Sequence, residues 1–280
     1  MERIIPIERE KAKEVLLEFL RYPLNDGLEI LQRFSALPGA VFSQGERRPD
    51  RFVYVPGTLR RPVLLIAHVD TVWDKGFPWT RERAELIVGE DTIVSGDPKV
   101  GIGADDRAGC ALLWLLRESG HSLLLLDGEE LGAFGTKYLI KNHPDLYKEL
   151  NCHAYMVELD LPGEQLCHYC ELPVTGRFRN YIEKSFHRKP VTKCCRTDVC
   201  CLSRQICGVN LSIGGEKEHT PHEVLRISPW LNTYENLCEV LSRKQPSFST
   251  SFSIRAWRFI KRKYMKLTQS LKMPKDKEMS

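Results

Sequence analysis

The sequence predicts a three-layer α/β fold: a mostly parallel central sheet with helices on both faces. Three observations carry that expectation. Apolar runs of strand length recur along the chain and alternate with helical stretches, the pattern of βαβ units. Some of these runs, such as Ser122 to Leu126, show no polar alternation, so both faces of those strands are buried. Acidic or histidine side chains stand at or beside the runs, and open α/β sheets gather their ligands beyond the carboxyl ends of strands.

Taken in order, Lys11 to Arg21 has helical periodicity, with Val15, Leu16, Phe19 and Leu20 on one side. Phe52 to Val55, followed by Pro56-Gly57, reads as a strand and turn, and Val63 to Ala67 as the next strand. Thr92 to Gly96 is a shorter strand ending in a bend. Arg107 to Arg117 is a helix rich in Ala, Leu and Trp. It is opened by Asp105-Asp106, acids that suit the positive end of a helix. Ser122 to Leu126 is a strand, and Thr136 to Lys141 and Pro144 to Leu150 are helices. Ala154 to Leu159 and Val209 to Ile213 are strands, and Pro229 to Arg243 is a helix.

At 280 residues the chain can bury one large core, and its apolar and charged fractions, 42% and 28%, are those of a globular protein. The net charge of +4 is unevenly spread. From Arg243 onward there are eleven Lys and Arg against two Asp and Glu, a net +9, which leaves the preceding part near −5. No run approaches the roughly 18 apolar residues of a membrane helix, and Met1 to Glu8 lacks the apolar core of a signal peptide. Ten cysteines without such a signal point to free thiols in a reducing compartment, so the expected location is cytoplasmic.

Five short stretches carry the chemistry: His68-Val69-Asp70, Asp105-Asp106, Glu129-Glu130, Glu158-Leu159-Asp160 and His219-Thr220-Pro221-His222-Glu223. Singly, an Asp pair fits a helix cap and a Glu pair a solvated turn. Together they offer hard oxygen and imidazole nitrogen at successive strand ends, which suggests a metal site.

The stretches His68 to Val72, Gly101 to Gly109 and Asp127 to Gly132 resemble those of the co-catalytic di-zinc exopeptidases, the clan of zinc aminopeptidases, tripeptidases and related carboxypeptidases and deacylases. Val157 to Asp160 and Gly215 to Glu223 resemble that clan's remaining motifs, in the same order, so the resemblance covers about residues 50 to 243. It implies a single-domain member with two zinc ions per chain, which cobalt or manganese would replace. His68 binds one metal, and Asp70 behind it orients the imidazole. Asp105 bridges the metals and is followed by a cis peptide to Asp106. Glu129 is the general base and Glu130 a ligand of the second metal. Asp160 joins His68, and His219 joins Glu130. The charge argument agrees: clustered carboxylates raise one another's pKa, and two cations remove the conflict. Two positions carry competitors. Glu158 competes with Asp160, which is favoured because it ends the strand and precedes Pro162-Gly163. His222 competes with His219, which is favoured because it follows the Gly-Gly-Glu-Lys-Glu bend. Thr197-Asp198 resembles a further clan stretch without a ligand role.

The implied activity is hydrolysis of a peptide or small amide by a metal-activated water, foremost by an aminopeptidase. A deacylase of N-acyl amino acids would use the same site, and a non-catalytic binding module would use the basic tail instead. The chain divides into one catalytic domain, 1–243, and a basic tail, 244–280, partly helical with a disordered end. Asp70 and Asp105 are 35 residues apart and Asp160 and His219 are 59 apart, too close to hold an inserted lid domain. The expected assembly is a monomer or small homo-oligomer. Cys167-His168-Tyr169-Cys170, with Cys194-Cys195 and Cys200-Cys201, raises a structural zinc, although adjacent cysteine pairs chelate one tetrahedral ion poorly. In the tail, Trp257, Ile260, Tyr264, Leu267 and Leu271 recur at helical spacing among basic residues, which fits first a terminal helix packed on the domain with its charges in water and, as the alternative, weak contact with an anionic membrane. No nucleic-acid motif accompanies them.

Overall fold

A computed structural model of the chain describes residues 3–74, 83–169, 174–192 and 197–250. The proposed tail helix, Cys170 and the pair Cys194-Cys195 lie outside the described residues. The helices are α1 (Arg9–Leu20), α2 (Leu28–Ser35), α3 (Ala104–Leu115), α4 (Phe134–Asn142), α5 (Pro144–Leu150), α6 (Gly176–Ser185), α7 (Asp198–Leu202) and α8 (Ile227–Leu241). The strands are β1 (Val41–Gln44), β2 (Arg51–Val55), β3 (Leu64–His68), β4 (Leu86–Val88), β5 (Thr92–Ser95), β6 (Ser122–Leu126), β7 (Met156–Leu161), β8 (Leu166–His168), β9 (Lys189–Pro190), β10 (Gly208–Ser212), β11 (Gly215–Glu216) and β12 (Val224–Arg226).

Eight strands form the main sheet in the order β1-β2-β6-β3-β7-β10-β8-β9. Its centre, β6-β3-β7-β10, is parallel throughout, whereas β1, β2 and β8 join antiparallel. The missing alternation in the apolar strands now has its cause. Leu123 and Leu125 of β6, with Leu65 and Ala67 of β3, pack into the layer of α1, α3 and α8. Leu124 and Leu126, with Leu64 and Ile66, pack into the layer of α4, α5 and α7. Both faces are covered, so both must be apolar. The expected three-layer α/β architecture is the observed one.

A second sheet was not foreseen. Strands β11-β12-β5-β4 form a small antiparallel sheet, built from the stretches before α3 and after β10. Its Ile93 and Leu225 join the larger core. One close approach ties α3 to the main sheet: a Cβ on Gly109 would sit 2.2 Å from the carbonyl oxygen of Leu159 on β7. Only glycine lets the helix come that near.

Candidate metal centre

The parallel strands run in the same direction, so their carboxyl ends share one edge of the sheet. His68 is the last residue of β3, Glu129 and Glu130 follow β6, and Asp160 lies near the end of β7. After Leu126, Gly128 turns the chain with φ +73°, so that the two glutamates double back over the sheet edge. Asp105 opens α3, and the Asp105–Asp106 peptide is cis. His219 stands in the bend between β11 and β12, itself at φ +63°.

These side chains converge. His68, Asp105 and Asp160 form one group of donors and Asp105, Glu130 and His219 a second, with the ligand atoms of each group within 4.8 Å of one another. Asp105 belongs to both through different oxygens: Oδ1 lies 3.0 Å from His68 Nε2, and Oδ2 lies 2.8 Å from His219 Nε2. Asp160 Oδ1 is 3.3 Å from His68 Nε2. Glu130 Oε1 is buried and, although 2.9 Å from His219 Nε2, meets no donor at hydrogen-bonding angles.

A ring of further side chains fixes this arrangement. Asp70 is buried, with its backbone carbonyl oxygen 3.1 Å from His68 Nδ1 and its Oδ1 at 3.3 Å from the same nitrogen. Its two carboxylate oxygens also accept the backbone N–H groups of Glu129 and Glu130, each at 3.0 Å. One residue thus sets both: its carbonyl and carboxylate face the β3 imidazole and its carboxylate holds the glutamate turn. Asp106 accepts from the His68 N–H at 3.1 Å and the Gly109 N–H at 3.0 Å, locking the end of β3 to α3. Buried Glu223 accepts from the N–H groups of Gly103 at 2.8 Å and Asp105 at 3.2 Å, holding the turn that presents Asp105. Asn210 on β10 accepts the Asp160 N–H at 3.0 Å. Arg107 donates to the carbonyl of Val69 and to that of Pro23.

The competing residues separate in space. The Glu158 carboxylate turns to the N-terminus of α7, accepting from the Thr197 hydroxyl and, at 3.0 Å, the Asp198 N–H. His222 is exposed. Asp198 accepts from the Thr136 hydroxyl at 2.6 Å, and its other oxygen is buried without a partner. The two donor groups contain no cysteine among the described residues. Sequence reasoning gave Asn210 and Arg107 no function, and gave Glu223 none although it quoted the stretch. The available signal for Glu223 was a carboxylate four residues after His219.

Burial and clustered like charge set the electrostatics of these groups. Burial pushes the Asp160 carboxyl up to about 7, and the Asp105 charge adds to it. Burial pushes Glu129 up to about 9, with Asp160, Asp198 and Glu130 contributing. The Asp105 and Glu130 carboxylates push the His219 imidazole up to about 10. Burial opposes the charged form of Asp105 too, but His219 and His68 hold its carboxyl below the usual range. A pocket that forces two imidazoles to hold protons and two carboxyls to resist losing them suits divalent cations. The donor set of imidazole nitrogen and carboxylate oxygen is that of zinc and its neighbours.

No protein-family model matches the chain, and no curated protein matches it. Solved structures do. Aminopeptidase PepT from Bacillus cereus superposes with a TM-score of 0.64 at 13% identity, over 85% of this chain and 99% of that one. A tripeptidase from Staphylococcus aureus gives 0.62 at 14% identity, over 86% and 100%. The TET1 peptidase of Pyrococcus horikoshii, which can assemble into a tetrahedron or a large octahedral shell, gives 0.55 at 12%, over 82% and 98%. The fold is therefore the one these exopeptidases share.

Proposed function

From that exopeptidase fold, we propose that the chain is a metal-dependent exopeptidase, foremost an aminopeptidase acting on a peptide or small amide. The observation that carries the reading is the shared carboxylate. Asp105 offers one oxygen to each of two donor groups, as a residue bridging two ions must. His68 and Asp160 would complete one zinc site, and Glu130 and His219 the other. When bound, the ions would polarise the scissile carbonyl and acidify a water.

The chain's own residues do the rest. Asp70 holds the imidazole of His68 from behind, so that Nε2 faces the site. By gripping the backbone of Glu129 and Glu130, it also keeps the base and the ligand in register with His68. Glu129 belongs to neither donor group, so its carboxylate is available as general base. Cations would draw down the pKa that burial and three carboxylates raise. The carboxyl then takes a proton from the attacking water and returns it to the leaving amine.

The test is elemental analysis of the purified protein, joined to hydrolysis of free-amine aminoacyl amides before and after chelation. The expected result is about two zinc per chain and turnover that chelation abolishes and zinc restores. Protein that binds no divalent cation would sink the reading. Two metals with cleavage of N-acylated substrates alone would replace the aminopeptidase by a deacylase.

A further inference from the structure

The edge of the sheet opposite the metal centre carries a surface of different chemistry. Residues 58–61 lead into β3, 115–120 into β6 and 203–207 into β10, so their surroundings lie at the amino ends of the parallel strands. The stretch 244–250 crosses this edge. Arg61 Nη1 donates to Ser247 Oγ at 3.4 Å, the Arg177 guanidinium lies 5.7 Å from the Phe248 ring centre, and the Thr250 N–H donates to the Gln205 carbonyl at 2.8 Å. Leu59, Arg60, Arg61, Lys244 and Gln245 line one hollow there.

The segments that meet here, 58–61, 174–179, 203–206 and 243–250, contain seven Arg and Lys and no Asp or Glu; the acids beside them are Glu239, paired with Arg243, and Glu118, which borders the adjoining groove together with Arg3 and Arg117. Beside them is an apolar element. Leu59 also lines a groove with Ile5 and Ile7, which are 77% and 42% exposed. The chain leaves this edge at Thr250 into residues whose sequence mixes Trp257, Ile260 and Tyr264 with Arg255, Arg258 and Lys261.

We infer that this edge docks on an anionic lipid bilayer, with Ile5 and Ile7 entering the headgroup region and the basic segments facing the lipid charge. Charge chooses among the occupants. A second copy would set seven basic side chains against seven, and the chain's own tail is basic as well. Nucleic acid would satisfy the arginines but leaves exposed isoleucines without a role. A bilayer meets both, since peripheral contact combines apolar insertion with attraction to anionic headgroups. In this orientation the metal centre faces away from the membrane.

The experiment is co-sedimentation of the full chain with vesicles of phosphatidylcholine alone, or with about a third phosphatidylserine. We expect partition onto the anionic vesicles only, reversed by salt. Arg60→Glu, Arg61→Glu and Lys244→Glu together should lower it at least about tenfold. Ile5→Ser with Ile7→Ser, at two exposed positions, should lower it as well. Thermal melts of each variant separate lost docking from lost folding. Three results overturn the inference: no partition of the wild-type chain, equal partition onto neutral vesicles, or wild-type partition by the folded charge-reversed variant. Retention by duplex nucleic acid in place of vesicles would equally replace the bilayer by a polyanion.

Discussion

Glu129 is the residue whose replacement separates chemistry from binding. Glu129→Gln removes the proton acceptor and leaves every member of the two donor groups in place. Turnover should fall by about 10²–10⁴-fold while the zinc content stays that of wild type; unchanged turnover would end its assignment as base. Glu223 tests positioning instead. It belongs to neither donor group, but holds the N–H groups of Gly103 and Asp105. Glu223→Ala should weaken metal affinity by roughly 10–100-fold in a chelator competition, and Glu223→Gln, which keeps one acceptor oxygen, should fall between. Wild-type affinity in the alanine variant would mean that the Asp105 turn holds itself. At this scale the sequence was most readable where a residue announces its chemistry. His68, Asp105, Glu129, Glu130 and Asp160 are polar side chains beside apolar runs, and burial there needs a reason. Asn210 and Glu223 were not readable, because each acts by bonding a backbone N–H, and no spacing rule says which backbone group will be nearby.

At the scale of elements, the contact between α3 and β7 makes the clearest demand. Gly109→Ala places a methyl group 2.2 Å from the Leu159 carbonyl, one residue from Asp160. It should cost on the order of 1–3 kcal/mol or more and loosen metal binding with it. Gly176, at the first turn of α6, has nothing within 4 Å of an added Cβ. Gly176→Ala should leave the melting temperature unchanged or raise it slightly. Equal effects of the two substitutions would show that helix propensity, and not the close approach, decides. The long buried strands and α1, α3 and α8 were legible because each buries enough apolar side chains to impose a period. Helix α2 escaped although it buries Ile30, Leu31 and Phe34, because only eight residues carry its period; the other elements that escaped bury few. Strand β1 is a four-residue edge with Val41 and Phe42 exposed, and β4 exposes Ile87 and Val88. Helix α6 buries only Phe178 and Ile182, and its start is marked by Thr175 accepting the Phe178 N–H. A single hydroxyl before a glycine is a faint signal. Strand β7 shows the converse, since Glu158 and Asp160 are two apart and a regular strand would send both to one face. Asp160 instead reaches the site where the pairing with β10 shifts register, between Asn210 and Ser212.

For the whole molecule, the metal centre makes stability depend on pH in a direction that the charges fix. Consider the chain stripped of metal by a chelator. The His219 imidazole, pushed up to about 10 by Asp105 and Glu130, stabilises the fold fully below its ordinary value of 6.5 and loses that contribution as pH rises through the folded value. His68 is raised as well: burial opposes its charge, but Asp105, Asp160 and Asp70 outweigh it. The carboxyls work with the same sign. Burial first, and neighbouring charge second, raise Asp160 and Glu223 to about 7 and Glu129 to about 9. Once the unfolded chain has ionised these groups above pH 4 to 5, each resists ionising in the folded state. Across this window the folded state therefore binds more protons than the unfolded one, and stability must fall as pH rises. Asp70 and Asp105, whose carboxyls are lowered, act with the opposite sign below the window, and His121 and His153, whose imidazoles burial lowers, oppose the trend only at its acid end, below 6.5. The metal-free melting temperature should thus decline steadily from about pH 5 to pH 9. With zinc, ions take over the charge that protons otherwise supply, and since ligands must be deprotonated to bind, zinc should stabilise more strongly as pH rises. The two melting curves should diverge toward high pH. A metal-free curve that is flat or rises over that range would show that these groups do not share one buried, cation-seeking site.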